Sequence, residues 1–159
     1  MAQIRSMEAR TGRKNQRYGI TGERLVAGVV PLSPDKTKVL CIQSTRRGGW
    51  VLPKGGWETD ELAHEAACRE AWEEAGVVCQ VERALGLPIP ERRPPHQVTP
   101  EAPKASYQFF EVSVLQEHQD WPERSKRGRR WMGYFEARSA LAGRPELLEA
   151  LERSNIVKR

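Results

Sequence analysis

The sequence predicts an α/β protein, a small α/β/α sandwich around a mixed central sheet, and three observations carry that prediction. Two apolar, β-branched-rich runs, residues 24–31 and 38–43, flank the turn-forming Ser33-Pro34-Asp35. An alanine-rich stretch containing Ala63, Ala66, Ala67 and Ala71 has helical spacing. Strand character then returns at residues 106–115, and Pro145 suits the first turn of a closing helix. Strands and helices interleaved in this order, without an internal repeat, point to one domain.

Taken in order, residues 1–19 are basic and polar and predict a partly irregular lead-in, with residues 20–155 as the domain. Residues 24–31 (RLVAGVVP) and 38–43 (KVLCIQ) predict a hairpin within the sheet. Trp50-Val51-Leu52 reads as a short buried strand ended by Pro53. Gly55-Gly56 permits backbone torsions closed to other residues and a close approach to a ligand or metal. Thr59 or Asp60 can cap a helix starting near Glu61, and Gly76 can end it in the left-handed turn. Residues 77–87 read as a strand. Residues 88–103, with six prolines, read as a long mobile loop. Beyond strand 106–115, residues 130–135 predict another strand, Phe135-Glu136-Ala137 opens a short helix, and residues 145–153 form the last one.

Composition bounds the function. A chain of 159 residues fits one core of ordinary size. Nothing approaches eighteen consecutive apolar residues, so no membrane span is expected, and residues 1–17 have no apolar stretch to act as a secretory signal. Cys41, Cys68 and Cys79 are odd in number and lack C-x-x-C spacing, which predicts small core residues in a reducing compartment. His64, His96 and His118 are scattered, and His64 reads as a surface residue. The expectation is a monomer in the cytosol or nucleus.

The chemistry is concentrated in one segment. Between Glu58 and Glu74 lie seven acidic side chains and one Arg, in a chain whose formal charge is +5. Glu70, Glu73 and Glu74 are spaced i, i+3 and i+4, so a helix gathers them on one face, where like charges repel by a few tenths of a kcal/mol each. A lone E-x-x-E-E reads first as a solvated acidic face. Carboxylates gathered on a rigid element also suit Mg²⁺, which sits between a few carboxylates and a substrate phosphate.

The flanking residues add to this. Gly55, Glu61, Arg69-Glu70, Glu73-Glu74, Gly76 and Val77 reproduce G-x5-E-x7-R-E-U-x-E-E-x-G-U, where U is bulky and apolar, apart from the small Ala71 at the first U. Over residues 55–77 the chain therefore resembles the Nudix box. The resemblance implies Mg²⁺, with Mn²⁺ as the alternative, held by Glu70, Glu74 and the Gly55 carbonyl. It implies Glu73 as the base that activates water, or as a further ligand. Glu61 and Arg69 are expected to pair and brace the loop against the helix.

Basic residues suggest the substrate. Arg10, Arg13, Lys14, Arg17 and Arg24, then Arg46, Arg47 and Lys54, then a run from Arg124 to Arg130 form three cationic clusters. Each single Arg reads as a solubilising charge; as a set they suit a ligand with many phosphates, which Arg grips with its planar fork. Residues 44–57 (STRRGGWVLPKGGW) and 125–132 (SKRGRRWM) resemble the corresponding stretches of diphosphoinositol polyphosphate phosphohydrolases, the fungal type in particular. That resemblance runs from about residue 13 to 153. It implies hydrolysis of diphosphoinositol polyphosphates and diadenosine penta- and hexaphosphates, and for some members inorganic polyphosphate. It also implies a phosphate-binding set of Arg17, Arg24, Ser44, Thr45, Arg46, Lys54, Lys104, Arg127, Arg129 and Arg144. The expected partner is thus a highly phosphorylated small molecule, not a membrane and not an obligate nucleic acid. The competing readings are an enzyme of the same family acting on capped RNA or nucleoside diphosphate derivatives, and a non-enzymatic polyphosphate sensor.

Overall fold

In β1 (Arg24–Leu32) every residue from Val26 to Leu32 is buried, the pattern of a strand covered on both faces. The computed structural model describes residues 5–159. β1 runs parallel to β7 (Ala105–Glu117), from Arg24 opposite Ala105 to Leu32 opposite Ser113. On its other edge it pairs antiparallel with β2 (Lys38–Gln43) at one end and with β4 (Lys54–Gly56) at the other. β3 (Trp50–Val51) and β8 (Arg129–Gly133) extend β2, while β5 (Val77–Ala84) and β6 (Ile89–Pro90) extend β7. The result is an open mixed sheet, β3-β2-β1-β7-β5, of the predicted α/β class.

Local chemistry explains the hairpin. Asp35 accepts bonds from the Ser33 and Thr37 hydroxyls and the Thr37 N–H, at 2.7 to 3.1 Å, fixing the turn between β1 and β2. Side-chain alternation along β7 then separates the layers. Phe110 meets His64 of α1 (Ala63–Ala75) edge to face, whereas its neighbour Glu111 bonds Asn155, just beyond α3 (Pro145–Arg153). α1 thus covers one face, and α3 with α2 (Tyr134–Ala140) lies toward the other. Ala66, Ala67, Ala71 and Ala75 are fully buried and form the small-residue seam of α1. Phe109, Leu40, Ile42 and Met132 fill the core; truncating Phe109 to Ala would cost about 3–5 kcal/mol.

Three expectations need correction. The helix begins at Ala63, and its cap is Leu62, whose N–H is taken by Glu65 Oε1 at 2.7 Å; Thr59 and Asp60 do not cap it. Asp60 is engaged by Arg10 instead. The strand at 77–87 stops at Ala84 after two bulges. The proline-rich segment is not a free loop: Ile89–Pro90 pairs with β7, Pro95–Gln97 makes a 3₁₀ turn, and Arg93 Nη2 donates to the Pro103 carbonyl at 2.6 Å.

Candidate active site

α1 presents Glu70, Glu73 and Glu74 toward a cleft of about 980 Å³ at the β4 side of the sheet. Its C-terminal stop places them. Gly76 adopts φ 68° with its N–H on the Trp72 carbonyl, and a Cβ there would lie 2.6 Å from the Trp121 ring. Arg69 organises the helix face. It donates to Glu61 through Nη2 at 2.7 Å and Nε at 3.0 Å, and to the Gly56 carbonyl at 2.9 Å. Its Nη1 bridges Glu70 at 3.0 Å and Glu73 at 3.2 Å. The expected Glu61–Arg69 brace is therefore present, and it also reaches the carboxylates.

The glycines before the helix are required by contact, not by torsion, because neither Gly55 nor Gly56 has positive φ. A Cβ on Gly55 would lie 2.2 Å from the Glu70 carboxyl carbon, and one on Gly56 would lie 2.2 Å from Gln16 Oε1. Gly55 thereby brings its backbone hard against Glu70. Gln16 is buried and donates to the carbonyls of Arg17, Leu25 and Trp57 while its Oε1 accepts Arg24 Nε at 2.9 Å, which aims the Arg24 guanidinium.

Burial dominates the electrostatics. It raises Glu70 to about 8, helped by Glu74 and opposed by Arg69. Burial likewise raises Glu74 to about 7 against the pull of Lys54 and Arg127, and raises Glu73 against the Arg10 N–H and Arg69. Lys54 is pushed down by the same desolvation, with Glu74 acting the other way. The site holds acids and bases away from their ordinary ranges, as functional clefts do.

These carboxylates fit a hard divalent cation. Glu70 accepts only the Arg69 bond, on Oε1, and Glu74 accepts the Lys54 N–H at 3.1 Å with Arg127 Nη1 at 3.7 Å. Two desolvated carboxylates short of donors, beside a glycine that leaves room, are a donor set suited to Mg²⁺. In this conformation Arg69 and Arg127 take up the carboxylates, and no three His, Cys, Asp or Glu side chains among the described residues converge as ligands.

Most of the expected phosphate-binding residues line the cleft: Arg24, Ser44, Thr45, Arg46, Lys54, Arg127 and Arg144. Three do not. Arg17 lies 4.6 Å over the Trp57 ring and donates to the carbonyls of Thr59 and Glu61, holding the loop that leads into α1. Arg129 stacks 4.2 Å over Trp121 and donates to the carbonyls of Ala75 and His118, where it steadies the helix end. Lys104 contributes its carbonyl to the Arg24 N–H and lies off the cleft. Sequence reasoning missed Arg92, Arg93 and Gln97 of the proline-rich segment, and it left Arg13, Arg47 and Lys126 in their clusters without a site role; all six line the cleft. The pairing of β6 with β7, together with the bonds of Arg92 to Glu146 and Glu149 of α3, brings the proline-rich wall there.

The family model of the NUDIX domain matches residues 22–153. Nudix hydrolase 4 of Arabidopsis thaliana is 39% identical over 144 residues, which cover 84% of this chain and 66% of that protein. The chain thus spans just under two thirds of that relative's length. Among solved structures, a NUDIX hydrolase from Nitrosomonas europaea superposes with a TM-score of 0.68 at 18% identity, covering 82% of this chain and 87% of the other. The Ap4A hydrolase of C. elegans gives a TM-score of 0.60 at 19% identity, covering 81% and 93%. At these identities the two structures show a shared fold.

Proposed function

The chain belongs to the NUDIX domain family, and on that premise we propose that it is a Mg²⁺-dependent hydrolase of diphosphate bonds in small molecules crowded with phosphate. The substrates proposed are diphosphoinositol polyphosphates, with diadenosine penta- and hexaphosphates and inorganic polyphosphate beside them. One observation carries this reading. Twelve basic side chains line the cleft against seven acidic ones, and the three carboxylates of α1 sit together on one wall. A cleft so charged repels nothing anionic except at the carboxylates, where a cation belongs.

Mg²⁺ held by Glu70, Glu74 and the Gly55 carbonyl would polarise the diphosphate oxygens and acidify a bound water. The protein's own groups do the rest. Lys54, Arg127 and Arg24 line the cleft around the helix and hold the phosphates on either side of the scissile bond. Glu73 takes the proton as the water oxygen bonds to phosphorus, the bridging P–O bond breaks, and the leaving phosphate keeps its electron pair. Ser44 positions the turn that carries Arg46 and Arg47, because its Oγ accepts both of their N–H groups at 3.4 and 3.3 Å.

A second reading has its own observation. Tyr107 lines the cleft beside Val26, and among the described residues it is the one aromatic ring there. A single ring can stack a base, which favours capped RNA or nucleoside diphosphate derivatives. The test is Mg²⁺-dependent release of phosphate from diphosphoinositol pentakisphosphate, beside diadenosine hexaphosphate and a capped RNA, with Glu73→Gln as control. Cleavage of either of the first two, lost in the variant, is expected; cleavage of the RNA alone would overturn the polyphosphate assignment.

A further inference from the structure

Residues 5–13 precede the stretch matched by the family model, yet they run along α1 and end in the cleft. The indole Nε1–H of Trp72 donates to the Ser6 carbonyl at 2.8 Å, and the Arg5 guanidinium lies 6.0 Å from the same ring. Further along, the Arg10 guanidinium joins Glu58 at 2.8 Å and Asp60 at 3.0 Å. Held by these anchors, the main-chain N–H of Arg10 donates to Glu73 Oε2 at 3.1 Å.

The other oxygen of Glu73 depends on Arg69, whose Nη1 is shared with Glu70 while the rest of the guanidinium holds Glu61 and the Gly56 carbonyl. Arg69 is thus divided among several partners, whereas the Arg10 N–H serves Glu73 alone. Two donors on opposite oxygens stop the carboxylate from rotating and aim its remaining lone pairs. Beyond Arg10, Gly12 turns the chain at φ 77° and Arg13 enters the cleft lining.

We propose that residues 6–13 form a strap that sets the orientation of Glu73, with Arg10 as the positioning residue. The Arg10 side chain ties the strap to Glu58 and Asp60, and its N–H fixes the carboxylate. The inference rests on the reading of Glu73 as a working group of the cleft. Although Arg10 and Arg13 also line the cleft, the effect on Glu73 runs through the Arg10 main-chain N–H and not through a contact with substrate. The tether is also open to solvent, so salt loosens it.

The test uses the full chain and three variants: Arg10→Ala, Arg10→Lys, and the double change Glu58→Gln with Asp60→Asn. With whichever diphosphate substrate the wild type cleaves, Arg10→Ala should lower kcat by about tenfold, because small misplacement of a reacting group is costly, while KM stays within about twofold. The double change should reproduce that loss, and Arg10→Lys should recover most of it. Hydrogen exchange of the amides of residues 6–11 should quicken in Arg10→Ala, with the melting temperature little changed. An unchanged kcat in a freed strap would overturn the proposal. A raised kcat would make the strap a brake, and a rise in KM alone would make Arg10 a substrate contact; either result rejects it. Failure of the wild type to cleave any of the three substrates would sink the functional reading instead. An Arg10 amide as fast to exchange in the wild type as in Arg10→Ala would sink the strap by itself.

Discussion

Acids on opposite sides of the same sheet behave differently. Glu111, on β7, is 1% exposed and fully served. Its Oε1 accepts the Asn155 N–H at 2.7 Å and Arg83 Nη2 at 3.3 Å, and its Oε2 accepts Asn155 Nδ2 at 3.4 Å with Lys36 Nζ at 3.5 Å. That carboxylate stitches the tail after α3 to the sheet. Glu70, 8% exposed, has one bond, and Glu74 relies on a main-chain N–H and a distant guanidinium. On the proposed reading, the contrast separates a structural acid from a functional one: a buried carboxylate whose donors are complete belongs to the fold, and one left short suits a ligand.

The sharpest way to break the comparison is to neutralise one acid of each kind. Glu70→Gln should lower kcat by about a thousandfold or more, since several kcal/mol of charge stabilisation would go with the proposed metal ligand. The same change should leave the melting temperature of the metal-free protein unchanged or higher, because it removes a carboxyl whose ionisation burial disfavours. Glu111→Gln should do the reverse, costing roughly 2 kcal/mol of stability, or about 4–8 °C, with kcat per folded molecule intact. If the two variants lost activity and stability in parallel, the distinction would fail.

A gentler probe is pH. Burial on folding raises Glu70 and Glu74 from ordinary carboxylate values of 4.5 to about 8 and about 7, so the metal-free folded protein holds protons that the unfolded chain releases. Their contribution is complete below the unfolded value and is lost as pH rises through the neutral range. In chelator, melting temperatures should therefore fall by a few degrees between pH 6 and pH 9, and Glu70→Gln should flatten that slope. Saturating Mg²⁺ should raise the melting temperature more at pH 9 than at pH 6; a larger rise at pH 6 would contradict the assignment of these carboxylates.

What the sequence disclosed was local. The β1–β2 turn, the left-handed Gly76, the Pro145 helix start and the spacing of Glu70, Glu73 and Glu74 each depend on neighbours within a few residues. What it hid depended on partners far along the chain. Asp60 looked like a cap until Arg10 claimed it, and Gly55 looked like a choice for torsion or for room beside a ligand until Glu70 lay against it. Arginines were hardest to place, since one guanidinium serves a phosphate or a carbonyl equally well. Arg17 and Arg129 sit in the same basic runs as Arg13 and Arg127, yet both close on main-chain carbonyls and aromatic rings. The proline-rich segment carried the opposite error, because its composition spoke of a loop while its backbone added a strand to β7 and delivered Arg92 and Arg93 to the cleft wall.

The parallel pairing of β1 with β7 also has a meaning for synthesis. Chains are made from the N-terminus, and Arg24 must wait for Ala105 before the middle of the sheet exists. By the time α1 has emerged, Glu70, Glu73 and Glu74 have been made, along with Lys54 and Gly55, but the strand that supports them has not. A nascent or broken chain ending before β7 would carry the three carboxylates of α1 without the sheet that α1 packs on. Competence therefore arrives late and all at once, when the second half of the chain slides in beside the first, and incomplete products stay silent.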